Sequence, residues 1–149
     1  MHPLTGSCHC GNIRVELELT RSPESFHPRA CDCDFCSKHA AAWISDPDGS
    51  LRIQIGEKGQ AARYRQGSAL AELIFCGNCG ILVCALHRGD GSLHAAVNAR
   101  VFGGRAGFGS EQTVSPKTLS DQEKLERWRH LWFSTVRIST AGGATAGPD

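Results

Sequence analysis

Seven of the eight cysteines fall into three short clusters: Cys8-His9-Cys10, Cys31-Asp32-Cys33-Asp34-Phe35-Cys36 and Cys76-Gly77-Asn78-Cys79. Thiolates two or three residues apart at a turn can converge on one ion at about 2.3 Å, the zinc–sulfur distance. A site of that kind couples metal binding to folding and pins distant stretches of chain to one point. Cys84 stands alone. An even cysteine count also fits four disulfides, but that reading needs a secreted chain. A C-x-C pair, moreover, cannot easily close on itself. Met1-His2-Pro3-Leu4-Thr5-Gly6 has no basic stretch followed by an apolar one, so it does not read as a signal peptide. The expected location is therefore the cytoplasm, where thiols stay reduced and clustered cysteines read as metal ligands.

The clusters divide as four plus three. A structural zinc takes four protein ligands and is closed, whereas a catalytic zinc commonly takes three and keeps one position open. Cys8, Cys10, Cys76 and Cys79 would make an all-thiolate structural site joining the N-terminal strand to a distant hairpin. Cys31, Cys33 and Cys36 would hold a second zinc with a free position, where a substrate thiol could ionise. Spacing alone leaves alternatives open. The triplet could recruit Cys84, His39 or an aspartate and close, and the two pairs could form a zinc ribbon without chemistry. Iron–sulfur is disfavoured because no cluster has a four-cysteine iron–sulfur spacing. Cys84 reads as a small buried hydrophobe. His9 would point away from its flanking cysteines on an extended backbone. Asp32, Asp34, Lys38 and His39 could orient or charge the triplet, or simply be solvated.

At 149 residues the expectation is one domain over 1–140, with an Ala/Gly/Thr-rich tail over 141–149 read as disordered. Residues 12–19 alternate Ile13, Val15, Leu17 and Leu19 against Arg14, Glu16 and Glu18, which predicts a half-buried strand. Residues 40–45, 51–55, 62–65, 69–75, 81–86, 93–97 and 136–139 read as further strands, and 103–117 as a Gly-rich loop or flap. Ser120 and Glu123 have capping-box spacing. Leu125, Trp128, Leu131 and Trp132 recur near helical spacing, so a helix is predicted over 121–132, with its aromatics in the core. The outcome is a mainly β, mostly antiparallel domain with metal knuckles at strand ends and one C-terminal helix. A formal charge of +1 gives no electrostatic case for nucleic acid or an anionic membrane. No apolar run is long enough to span a bilayer.

Gly6-Ser7-Cys8-His9-Cys10-Gly11, the triplet, Phe75-Cys76-Gly77-Asn78-Cys79-Gly80 and Ala96-Val97-Asn98 together resemble the glutathione-dependent formaldehyde-activating enzyme family, also called the centromere-protein-V/formaldehyde-activating family. The resemblance runs from about Gly6 to Arg100. It implies a β-tent fold of antiparallel sheets. It also implies a structural zinc on Cys8, Cys10, Cys76 and Cys79, and a catalytic zinc on Cys31, Cys33 and Cys36, two zinc ions per chain. The family's named activity joins glutathione thiol to formaldehyde, giving S-hydroxymethylglutathione. The chain departs from the family's common pattern at Asp32, Ser37 and Lys38. The expected function is thus a zinc-dependent carbon–sulfur lyase-type enzyme acting on a thiol–aldehyde adduct, with a small-molecule thiol and an aldehyde as its partners. The alternatives are a non-catalytic zinc-binding module for protein or nucleic acid, and a redox sensor built on the triplet.

Overall fold

A computed structural model describes residues 1–89 and 91–141, and residues 145–146 as backbone. In chain order its strands are β1 (His2–Ser7), β2 (Ile13–Leu19), β3 (Arg29–Cys31), β4 (Trp43–Ile44), β5 (Ser50–Ile55) and β6 (Ala61–Tyr64). They continue with β7 (Glu72–Cys76), β8 (Leu82–Gly89), β9 (Ser92–Asn98), β10 (Gln112–Val114), β11 (Val136–Thr140) and β12 (Thr145–Ala146). Helix α1 (Asp34–His39) follows β3, and α2 (Asp121–Leu131) precedes β11.

The strands form two sheets. One has the order β1-β2-β5-β11-β12, the other β10-β3-β4-β9-β8-β7-β6. Most neighbours are antiparallel, as expected of short strands joined by tight turns. Two pairs are parallel, β10 with β3 and β11 with β5. Sequence patterning did not reveal them, because both partners lie far apart in the chain. The expected disordered tail, 141–149, lies largely outside the described residues; within it Thr145–Ala146 pairs antiparallel with β11.

The main core lies between the sheets. The predicted alternation of β2 holds residue for residue, with Ile13, Val15, Leu17 and Leu19 buried and the residues between them exposed. These meet Ile44, Ile74, Val83, Val97 and Phe133 from across the gap. Burying each such aliphatic side chain stabilises the fold by about 1.5–3 kcal/mol. Phe133 bonds Ala95 in both directions, its N–H donating at 2.9 Å and its carbonyl accepting at 3.1 Å. A second cluster covers the other face of the larger sheet, with Leu73, Leu82, Ala85 and Ala96 under Trp128 and Trp132. The first five residues of β8, 82–86, are therefore buried on both faces, which is why they read as an unbroken apolar run.

Three local expectations are corrected. The strand predicted over 40–45 shrinks to Trp43–Ile44, because Ala40 caps α1 with a left-handed backbone at φ 50°. Helix α1 itself was not foreseen. Its N-cap is Cys33, whose Sγ accepts the Cys36 N–H at 3.4 Å, in place of the usual hydroxyl or carboxylate. Strand β1 was missed because Pro3 and Gly6 interrupt any alternation. The predicted α2 is present with its full capping box: Ser120 Oγ accepts the Glu123 N–H at 3.2 Å and Glu123 accepts the Ser120 N–H at 2.9 Å.

Candidate metal and substrate site

The three cysteine clusters become two sites. Cys8 and Cys10 lie just past β1 in one sheet; Cys76 and Cys79 lie at the β7–β8 turn of the other. All four Sγ atoms lie within 4.8 Å of one another. Cys8 and Cys10 are 3.7 Å apart, Cys10 and Cys76 3.6 Å. A tetrahedral zinc with four thiolates at 2.3 Å requires sulfurs about 3.8 Å apart, so the donor set fits that ion. Backbone amides point at the sulfurs: Ile13 N–H donates to Cys8 at 3.2 Å and Cys79 N–H to Cys76 at 3.4 Å. The second knuckle depends on glycine twice. Gly80 sits at φ 81°, and a Cβ on Gly77 would lie 2.1 Å from the Gln60 carbonyl oxygen. Behind the site, buried Asn12 donates to the Gly59 carbonyl and accepts the Lys58 N–H, both at 2.8 Å, and so closes the 57–60 loop over it. Without metal the four thiols share protons unequally. Burial pushes Cys8 up to about 11, while hydrogen bonds from the Asn78 side chain and Asn12 backbone hold Cys10 down to about 6.

The triplet is built differently. Cys31 ends β3, Cys33 caps α1 and Cys36 sits in its first turn, so the helix itself folds the three sulfurs together within 4.8 Å. Among the described residues no fourth histidine, cysteine or carboxylate joins them. The alternatives for closure are accounted for. Cys84 is 0% exposed in the core between the sheets, where burial raises its pKa. His39 packs its ring on Phe35 and Phe75 at 4.7 and 5.3 Å. Asp32 accepts the Ser115 hydroxyl and faces Lys117 at 3.7 Å. His9, Asp34 and Lys38 are exposed. Without metal, Cys31 is held down to about 6 by the hydrogen bond from the Cys36 thiol; the same bond, with burial, pushes Cys36 up.

The triplet opens on a cavity of about 400 Å³, and the four-cysteine cluster does not. Trp43, Trp128 and Trp132 form an apolar wall; the last two stack at 4.5 Å and 17°. The aromatics of α2 thus serve both the core and the cavity. The supposed flap contributes Val114, Pro116 and Lys117, anchored where Asp32 N–H donates to the Val114 carbonyl at 3.0 Å. Sequence reasoning missed the cations of this cavity: Arg29, Lys117, Lys124 and Arg127. They are spread across the chain, and the one available signal was Lys124 and Arg127 beside the tryptophans of α2. Arg29 Nη2 donates to Ser45 Oγ at 2.7 Å, and that hydroxyl donates to the Leu131 carbonyl at 2.7 Å. Burial and the nearby Arg127 lower the Arg29 pKa to about 10, still charged at neutral pH.

The model of the glutathione-dependent formaldehyde-activating enzyme family matches residues 3–133. A solved structure of a Rhodobacter sphaeroides protein, a structural-genomics target, is similar at a TM-score of 0.52 and 29% identity, over 68% of this chain and 89% of that one. No curated protein matches. With the family model covering most of its length, the chain belongs to the glutathione-dependent formaldehyde-activating enzyme family.

Proposed function

We propose that this chain is a zinc-dependent carbon–sulfur lyase-type enzyme acting on a thiol–aldehyde adduct, as in the formation of S-hydroxymethylglutathione from glutathione and formaldehyde. One observation carries the reading. Cys31, Cys33 and Cys36 converge with no fourth ligand among the described residues and face a cavity large enough for a small thiol. Cys8, Cys10, Cys76 and Cys79 hold a structural zinc in this reading, and the triplet holds the catalytic one. When bound there, zinc would lower the pKa of a substrate thiol so that it reacts as thiolate near neutral pH. In the addition, the thiol sulfur bonds to the carbonyl carbon, the carbonyl π pair moves to oxygen, and that oxygen takes the proton the thiol gave up.

The chain's own residues do the rest. The wall of Trp43, Trp128 and Trp132 excludes water from the reacting carbon. Lys117 Nζ, steadied by Asp32 at 3.7 Å, presents an N–H donor on the cavity wall for the developing alkoxide. All eight cysteines are unbridged, which suits the reducing cytoplasm proposed for the protein. No described helix is long and apolar enough to cross a membrane. The open cavity disfavours a purely structural zinc module. The test is glutathione–formaldehyde exchange followed by NMR on zinc-loaded protein. Catalysed exchange that disappears in Cys33→Ser supports the proposal; exchange no faster than buffer, or unchanged in that variant, contradicts it.

A further inference from the structure

The cavity beside the triplet is electrostatically unbalanced. Arg29, Lys117, Lys124 and Arg127 line it against a single carboxylate, Asp121. Lys117 pairs with Asp32, but among the described residues Arg29, Lys124 and Arg127 form no ion pair. Elsewhere, exposed Arg63, Arg65, Arg100 and Arg129 each sit against a glutamate, and the arginines without an ion pair outside the cavity have no metal-ligand triplet beside them. Half-buried, unpaired guanidinium groups are costly to keep unless something else supplies the negative charge.

The arrangement is also preorganised. Arg29 is fixed by the Ser45 relay to the Leu131 carbonyl, and among the described residues the remaining N–H groups of its fork have no side-chain partner. Arg29 and Arg127 line the same cavity, of about 400 Å³, as Cys31, Cys33 and Cys36. The two arginines and the triplet are therefore within the span of one small molecule. A guanidinium fork matches a carboxylate in two parallel hydrogen bonds, which a lysine ammonium cannot do.

We infer that Arg29 and Arg127 form a carboxylate-binding subsite that selects anionic thiols, holding the acid end of the substrate while its sulfur reaches Cys31, Cys33 and Cys36. This rests on the triplet being the substrate-facing site proposed above. Neutral thiols lack the anchor, and Trp128 and Trp132 supply the apolar surface between the two ends.

The test uses zinc-loaded full-length protein and a ligand that cannot react, S-methylglutathione, compared with its dimethyl ester. Tryptophan fluorescence is the readout, since two tryptophans stack in the cavity wall. The acid should bind about 10- to 100-fold more tightly than the ester, the range expected for charge-assisted hydrogen bonds. Arg127→Gln should bring the two affinities within about threefold of each other. Arg29→Lys keeps the charge and removes the fork, so it should retain the fold and lose most of the preference. Indistinguishable binding of acid and ester to wild type, including no binding of either, overturns the subsite, as does an undiminished preference in Arg127→Gln. The sulfur is methylated, so this result stands whether or not exchange catalysis is found. Catalysis without the acid preference would overturn the subsite alone.

Discussion

The two cysteine sites use the same side chain for opposite ends. The four-cysteine cluster draws Cys8 and Cys10 from one sheet and Cys76 and Cys79 from the other, so a metal held by all four would clamp the two layers of the fold together. The triplet draws all its sulfurs from six residues on β3 and α1 and clamps nothing distant. One site closes on itself under the 57–60 loop; the other opens on a cavity. Ligand count and the chain separation of the ligands together distinguish a site that holds the fold from one that is free to do chemistry.

That contrast is breakable by substitution. The largest effect should follow Cys76→Ser. Structural zinc sites contribute on the order of 10 kcal/mol of coupled binding energy, comparable with the whole stability of a domain. The variant should lose cooperative thermal unfolding and native circular dichroism. Cys33→Ser should lower bound zinc from two per chain to one, yet keep a cooperative transition; melting curves with metal analysis check both. If Cys33→Ser unfolds the chain and Cys76→Ser does not, the assignment of roles is reversed. A smaller effect is expected from Cys84→Ala, about 1 kcal/mol of lost core packing, with zinc content unchanged. A loss of metal there would make Cys84 a ligand.

Ser120→Ala sharpens the cavity side of the contrast, because α2 carries Trp128 and Arg127. Losing the cap should cost about 1 kcal/mol, read from denaturant unfolding at neutral pH. The pH dependence has a definite sign. The Ser120 N–H holds the Glu123 carboxylate below its ordinary 4.5, so the cap's contribution is present above that value. It fades as pH falls through the lower folded pKa, and the gap between wild type and Glu123→Ala, which removes the carboxylate that Ser120→Ala leaves in place, should narrow there.

Much of this was legible in the sequence, for a physical reason in each case. Strand β2 alternates because one face is buried and the other wet. Helix α2 announces itself through Ser120 and Glu123. The grouping of cysteines into four and three follows from coordination number. Helix α1 was hidden because its cap is a thiol that also serves as a candidate ligand. Strands β1 and β10 are short edges whose order comes from their neighbours, which periodicity cannot report. The cationic lining of the cavity was invisible because Arg29 and Arg127 meet only once β3 and α2 are placed.

The central claim is that one metal site is closed and the other open. Cadmium-113 NMR of the cadmium-substituted protein tests it most directly, since the shift reports the number of bound sulfurs. The account predicts two resonances, one in the four-sulfur range and one in the range of three sulfurs with a lighter donor. The second alone should move when a thiol is added. Two resonances both in the four-sulfur range, or a single resonance, would contradict it.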